Sequence, residues 1–148
     1  MTPDPDPTDR VRRLLHERVP EVADGRVQLK AIAREAGKRT MIAVFSESPH
    51  IDPIGVCVGI RGTVIKAIVL DLQGERVDII RWAEAAEVII RGAFHPQDVV
   101  RILFNEGSRR VEIATRVCPS NRDMFLADRL ELLSRLTGYD IRVASALT

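Results

Sequence analysis

Asp52-Pro53-Ile54-Gly55-Val56-Cys57-Val58-Gly59-Ile60-Arg61-Gly62-Thr63-Val64-Ile65-Lys66-Ala67-Ile68-Val69-Leu70 sets a pair of glycines, three positions apart, between two apolar runs. Pro53 to Val58 predicts a short helix with proline at its start, and the run from Thr63 predicts a longer one ending near Gly74. Between them Gly59-Ile60-Arg61-Gly62 has to turn the chain. Positions without a Cβ let another backbone come close, and the helix that follows presents unpaired N–H groups and a positive dipole end. The same tetrapeptide also suits an ordinary turn, so its meaning depends on what surrounds it.

On the amino-terminal side, Thr8 or Asp9 can cap a helix carrying Val11, Leu14, Leu15 and Val19 at helical spacing, ended by Pro20. Val27, Leu29, Ala31 and Ala33 then alternate with Gln28, Lys30, Ile32 and Arg34, and Gly37-Lys38-Arg39 turns the chain into Met41-Ile42-Ala43-Val44-Phe45. That pattern predicts an antiparallel hairpin whose first strand turns Leu29, Ala31 and Ala33 to one face. Beyond the glycine turn and its helix, Val77-Asp78-Ile79-Ile80-Arg81 reads as a strand.

The second half repeats the order: a helix over Ala83 to Phe94, strands over Val99 to Phe104 and Val111 to Arg116, then a helix pair and a last strand. Leu72-Gln73-Gly74-Glu75-Arg76-Val77-Asp78-Ile79 matches Leu136-Thr137-Gly138-Tyr139-Asp140-Ile141-Arg142-Val143 in its Leu, its Gly and two β-branched positions. In both, glycine supplies a left-handed helix stop ahead of a strand. Duplication of one α+β unit accounts for the match and for the shared element order.

Composition sets outer limits. A chain of 148 residues can bury one good core or two small ones of about 60 to 70 residues each. No uninterrupted apolar segment approaches the ~18 residues of a membrane span, and Met1 to Thr8 lacks the basic start and apolar stretch of a signal peptide. That stretch reads as a disordered leader, and the protein is expected to be soluble and cytoplasmic. Cys57 and Cys118 have no Cys or His at zinc spacing, so no metal and no cofactor is expected; two buried reduced thiols are the simpler reading. The net charge of +1 does not announce a nucleic-acid partner. One local cluster does stand out, Arg26, Lys30, Arg34, Lys38 and Arg39 against the single acid Glu35, which reads either as a solvated face or as part of a binding track.

Taken together these segments resemble the tandem KH region of the bacterial transcription elongation and antitermination factor NusA. The resemblance runs from about Leu14 to Val143. It is carried by Leu15-His16-Glu17-Arg18-Val19-Pro20-Glu21 with Asp24-Gly25, by Lys30-Ala31-Ile32-Ala33-Arg34-Glu35, by Val77-Asp78-Ile79-Ile80 with Trp82, and by Leu136-Thr137-Gly138-Tyr139. Its most specific part is Asp52-Pro53, Gly55, Cys57-Val58-Gly59 and Arg61-Gly62. The resemblance implies an α/β (α+β) protein of two tandem type II KH domains, each a small sheet covered by helices: a leader over residues 1–8, a first domain over 9–82 with an intact glycine turn, and a second over 83–148. The family's polymerase-binding domain and oligonucleotide-binding barrel are not found in these 148 residues, so the sequence reads either as a stand-alone KH pair or as a piece of a longer protein.

It also implies single-stranded RNA, as nascent transcript, for a partner, and a role in transcription elongation, termination or antitermination. A KH groove takes about four nucleotides beside its glycine turn. Phosphates are then expected against the N–H groups of Gly59, Ile60, Arg61, Gly62 and Thr63, with Arg61 and Lys66 supplying charge and Pro53, Gly55, Val56 and Ile60 forming an apolar floor. Lys38, Arg39, Arg76 and Arg81 are candidates to extend the track. Aromatic stacking is expected to be scarce, since Trp82 lies past the strand and Phe45 reads as core. In the second copy the turn falls near Met124-Phe125-Leu126-Ala127, which has no glycine, so clamping there is expected to be weak or absent; Leu126 reads as core and Phe125 as a possible partner contact.

Two other classes compete with this reading. The pair could serve as a scaffold docking to RNA polymerase, the ribosome or another factor with little RNA binding of its own. Catalysis is not expected: His16, His50 and His95 lie in separate elements, with no nucleophile, paired carboxylates or phosphate loop near them. The nearest approach to a reactive cluster, Ser46-Glu47-Ser48-Pro49-His50, reads as a polar loop.

Overall fold

The computed structural model describes residues 7–93, 99–105, 107–116 and 130–147. The chain divides into two units, residues 1–82 and 83–148. In the first, helix α1 (Pro7–Arg18) and the short α2 (Pro20–Ala23) lead into strands β1 (Gln28–Glu35) and β2 (Arg39–Phe45). Helix α3 (Pro53–Val58), a tight turn over Ile60–Gly62 and helix α4 (Thr63–Asp71) then cross to β3 (Arg76–Arg81). The sheet order is β1-β2-β3, with β2 antiparallel to β1 and parallel to β3. A parallel partner cannot be reached by a hairpin, and the α3–α4 pair is the crossover that reaches it.

The core forms where this helix pair and α1 meet the sheet. Val11 and Leu15, one helical turn apart, pack with Val19, Ile42, Val44, Cys57, Ile68, Leu72 and Val77, all buried. Full burial of a Leu or Ile side chain stabilises by about 1.5–3 kcal/mol, so this cluster is the main source of the unit's stability. Arg10 Nη2 donates to the Asp71 carbonyl at 2.8 Å and Arg18 pairs with the Asp71 carboxylate at 2.6 Å, tying α1 to the end of α4. The positively charged side chains also suit the negative end of α4's dipole.

The alternation expected for β1 breaks at one residue. Leu29 pairs with Val44 but Ala31 pairs with Ala43, so Lys30 is bulged out. A bulge shifts every later side chain to the other face. Leu29 and Ile32 therefore pack on the helix-covered core and Arg34, opposite Thr40, shares their face, while Ala31 and Ala33 turn to the other face, where Ala33 is buried opposite buried Met41.

In the second unit α5 (Ala86–Gly92) precedes β4 (Val99–Asn105) and β5 (Arg110–Arg116), residues 130–137 form helix α6, and β6 (Asp140–Leu147) closes the sheet. The order β4-β5-β6 and the strand directions copy the first sheet. Even the bulge recurs, between Val99 and Arg101. The helix stops agree too: Gly74 and Gly138 both have positive φ, 91° and 79°. Phe94, Cys118 and the expected second turn at Met124 to Ala127, with Phe125 and Leu126, lie outside the described residues.

At one matched position the two units are filled differently. In the first, the buried Glu75 carboxylate accepts from Arg34 Nε and Nη2 at 3.0 Å each, from the Gly37 N–H at 2.9 Å and from the Thr40 hydroxyl. Register places Phe104, Val111 and Tyr139 at the corresponding sites of the second. There the rings of Phe104 and Tyr139 meet edge to face, with centroids 6.2 Å apart.

Candidate nucleic-acid interface

The site is built from the turn outward. Asp52 caps α3 by accepting from the Ile54 N–H at 3.2 Å, and Pro53 occupies the first turn, where it gives up no hydrogen bond. The helix stops at Gly59, whose φ of 80° and ψ of 170° form a combination nearly closed to other residues. A Cβ there would lie 2.5 Å from Val64 Cγ2 and 2.9 Å from the Val64 backbone nitrogen. Gly62 is also left-handed, φ 74° and ψ 17°, yet its Cβ would meet only Ile65 and Lys66 at 3.7 Å, an ordinary contact. The first glycine is thus required by the fold, while the second keeps an open approach to the head of α4.

Several of the amides expected to face phosphate are used within the turn. Gly59 N–H donates to the Gly55 carbonyl at 2.9 Å, Gly62 N–H to the Gly59 carbonyl at 3.1 Å, and Thr63 N–H to the Ile60 carbonyl. Arg61, at φ 57°, projects from the turn as an exposed charge, with Ile60 beside it 83% exposed.

Beside α4 runs a groove of about 550 Å³ between the helix and the edge strand β3, lined by Ile65, Lys66, Val69, Leu70, Arg76, Val77 and Asp78. Its lining is mostly apolar, with Lys66, Arg76 and Asp78 as the charged members. Leu70, 76% exposed, projects into solvent. Of the residues expected to floor a base groove, Pro53 is buried at the start of α3, Val56 packs on the core, Gly55 is exposed, and none of them lines the groove beside α4. Ile65, Val69, Leu70 and Val77 supply the apolar part of that groove's lining. A usable signal was present, because α4 is apolar around most of its girth and a helix lying on a sheet buries only one stripe.

The basic cluster between Arg26 and Arg39 is held by internal partners. Arg26 pairs with Asp24 at 2.7 Å, Lys38 with Glu35 at 3.2 Å, and Arg34 with buried Glu75. Lys30 Nζ stands 5.6 Å from the centre of the Phe45 ring, within cation–π range. Arg39 is itself buried, 3.6 Å from Asp78, which withdraws it from any surface track. Of the accessory candidates, Arg76 lines the groove and Arg81 is exposed at the far end of β3, 3.8 Å from Asp52.

Pro53–Asp71 as a whole has the length and composition of a helix that could cross a membrane. The glycine turn divides it into α3 and α4, of six and nine residues. Each piece is well short of the ~20 residues a span requires.

Burial, with a smaller contribution from Glu21, pushes the Cys57 thiol up to about 11. Glu75 moves the other way. Burial would raise its pKa, but the bonds from Arg34, Thr40 and Gly37 more than offset it and hold the carboxyl below its ordinary range.

Two short helices joined through a left-handed glycine turn, laid on a sheet whose central strand is antiparallel to one neighbour and parallel to the other, define a type II KH fold. Residues 6–82 match the model of the NusA-like first KH domain. The chain belongs to the NusA-like KH family. It is similar to the transcription termination/antitermination protein NusA of Halalkalibacterium halodurans, 38% identical over 140 residues, and to that of Thermus thermophilus, 37% identical over 139. These alignments cover 91% and 92% of this chain but 36% and 35% of the relatives, so the chain spans about a third of their length. The crystal structure of APE1850 shares the fold, with a TM-score of 0.60 at 18% identity over 90% of this chain and 94% of that one.

Proposed function

We propose that the first unit clamps single-stranded RNA along the Gly59–Gly62 turn and the α4/β3 groove. On this reading the chain acts on nascent transcripts in transcription elongation, termination or antitermination in the cytoplasm. The observation that carries it is an open left-handed turn, with Arg61 exposed in it, leading into a helix that lines a mostly apolar groove in which Lys66 and Arg76 outnumber the one acid, Asp78. The relatives' role as transcription termination/antitermination proteins supports the cellular setting.

The mechanism is mainly one of shape. The sugar-phosphate backbone passes over Gly62, where a side chain would stand in its way, and Arg61 and Lys66 take phosphates as charged donors. Bases lie over Ile65, Val69, Leu70 and Val77. Three phosphate contacts, from Arg61, Lys66 and Arg76, give a slope of about −2 in log affinity against log salt, at ~0.7 per phosphate on a single strand. RNA polymerase or a ribosome-associated protein is the macromolecular partner that this setting would bring.

The test is an anisotropy titration with labelled single-stranded RNA, comparing the native chain with Gly62→Asp. The added side chain makes only ordinary contacts with Ile65 and Lys66 and bears the modest cost of a left-handed backbone, so a native circular dichroism spectrum with at least tenfold weaker binding is expected. A folded variant with undiminished affinity rejects the clamp.

A further inference from the structure

At the other end of β3, a hollow of about 380 Å³ opens at the carboxyl ends of the parallel strands β2 and β3. Phe45, which ends β2, Arg81, which ends β3, and Trp82, the residue after it, line it together with the loop Ser46 to Asp52. It is separate from the groove, whose share of β3 is Arg76, Val77 and Asp78. In a sheet with parallel strands, the carboxyl ends are where connecting loops splay apart and leave room for a ligand.

The walls have a particular chemistry. Trp82 is half-buried, its backbone N–H fixed to the Val44 carbonyl at 2.8 Å, which holds the chain at that point while the indole borders the hollow. Arg81 is exposed, and its 3.8 Å approach to Asp52 is longer than a hydrogen bond, so the guanidinium can re-pair with an incoming anion at little cost. The Ser46 and Ser48 hydroxyl oxygens accept from the Ser48 and His50 N–H groups, which orders the loop and leaves their O–H groups to donate. An indole for stacking, a guanidinium for a phosphate and hydroxyl donors for a base edge make a set suited to one nucleotide.

We propose that this hollow is a nucleotide subsite, in which an unpaired base of the bound strand stacks on Trp82 while Arg81 takes its phosphate. The proposal rests on the RNA reading of the groove and extends it. Arg76 opens β3 and Trp82 follows its last residue, six positions and ~20 Å away at the usual strand rise, a distance that a few nucleotides of extended chain bridge. The subsite therefore lengthens the footprint of the first unit without calling on the second glycine turn.

Trp82 is the chain's one tryptophan, so its fluorescence reports this hollow directly. Oligoadenylates of increasing length are titrated against the whole protein, with anisotropy and indole emission read together. Oligomers that fill only the groove should bind without quenching, and longer ones should quench Trp82 and gain about tenfold in affinity, the scale of one stacked base. Trp82→Leu and, independently, Arg81→Ala should remove the gain while leaving affinity for the shortest binding oligomer unchanged. Long oligomers that bind without quenching, or that keep their gain in both variants, overturn the subsite while the groove reading stands. Absence of binding by every oligomer overturns both, and Gly62→Asp then has no affinity to remove.

Discussion

Arg34 holds Glu75 by two parallel bonds of 3.0 Å, from Nε to one carboxylate oxygen and from Nη2 to the other, across the start of the first sheet. The Glu75 side chain is sealed from solvent and Arg34 nearly so. Removing one partner of a buried pair costs about 3–5 kcal/mol, because the other charge is left without its counterpart. Glu75→Ala is therefore expected to lower the first unit's stability by about that amount, read as a fall in its urea midpoint. Arg34→Phe, Thr40→Val and Glu75→Tyr combined copy the second unit's filling and should recover most of the loss, since no buried charge remains.

The same carboxylate predicts an acid response. Its folded pKa is depressed below the ordinary value of 4.5, so the folded state binds this proton less readily than the unfolded chain. The contribution is present above about pH 4.5 and is lost as pH falls through the lower folded value. Thermal midpoints of the native chain should drop across that window, and those of Glu75→Gln should drop less.

The two glycines of the turn should separate under mutation. Gly59→Ala places a methyl group on Val64 and imposes a strained backbone, so a loss of at least ~2 kcal/mol and disturbed packing of α4 are expected. Gly62→Ala should cost less than Gly59→Ala in a urea titration, because only its left-handed backbone is disfavoured. Equal losses would mean that the first glycine's close contact with Val64 does not govern the turn.

Groove residues should affect binding more than folding. Leu70 is largely exposed, so Leu70→Ser is expected to shift stability by less than ~0.5 kcal/mol while weakening RNA several-fold in the anisotropy titration. Ile68→Ser, one helical face away and fully buried, should do the reverse and unfold the unit.

Cys57 should resist thiol reagents in the folded protein. With its pKa at about 11, only about one thiol in ten thousand is ionised at pH 7, and the side chain is buried. Labelling with a disulfide reagent should track unfolding by urea.

Much of this fold could be read from local pattern. Proline at position 53, glycine at 59 and 62 and the Gly74 stop each act over a few residues, and α3 begins and ends where those residues require. The bulge at Lys30 could not be read in this way. Alternation alone puts Ala31 and Ala33 on the face of Leu29, and only pairing with β2 decides that Ile32 and Arg34 take that face while Ala33 is buried on the other. The same limit governed the site. Arg61, Lys66 and the glycines were recognisable from spacing, but the groove depends on which stripe of α4 the sheet leaves uncovered. The internal pairing of the basic cluster was out of reach for a related reason: the partner of Arg34 is 41 positions away in sequence, and that of Arg39 sits on β3.

The break between α3 and α4 has a consequence for how the chain partitions as it is made. Joined end to end, the two helices would present one apolar rod to any lipid surface that a nascent polypeptide meets. Gly59 and Gly62 break that rod into pieces of six and nine residues, so a mutation that straightened the turn would change the solvent in which the segment prefers to fold.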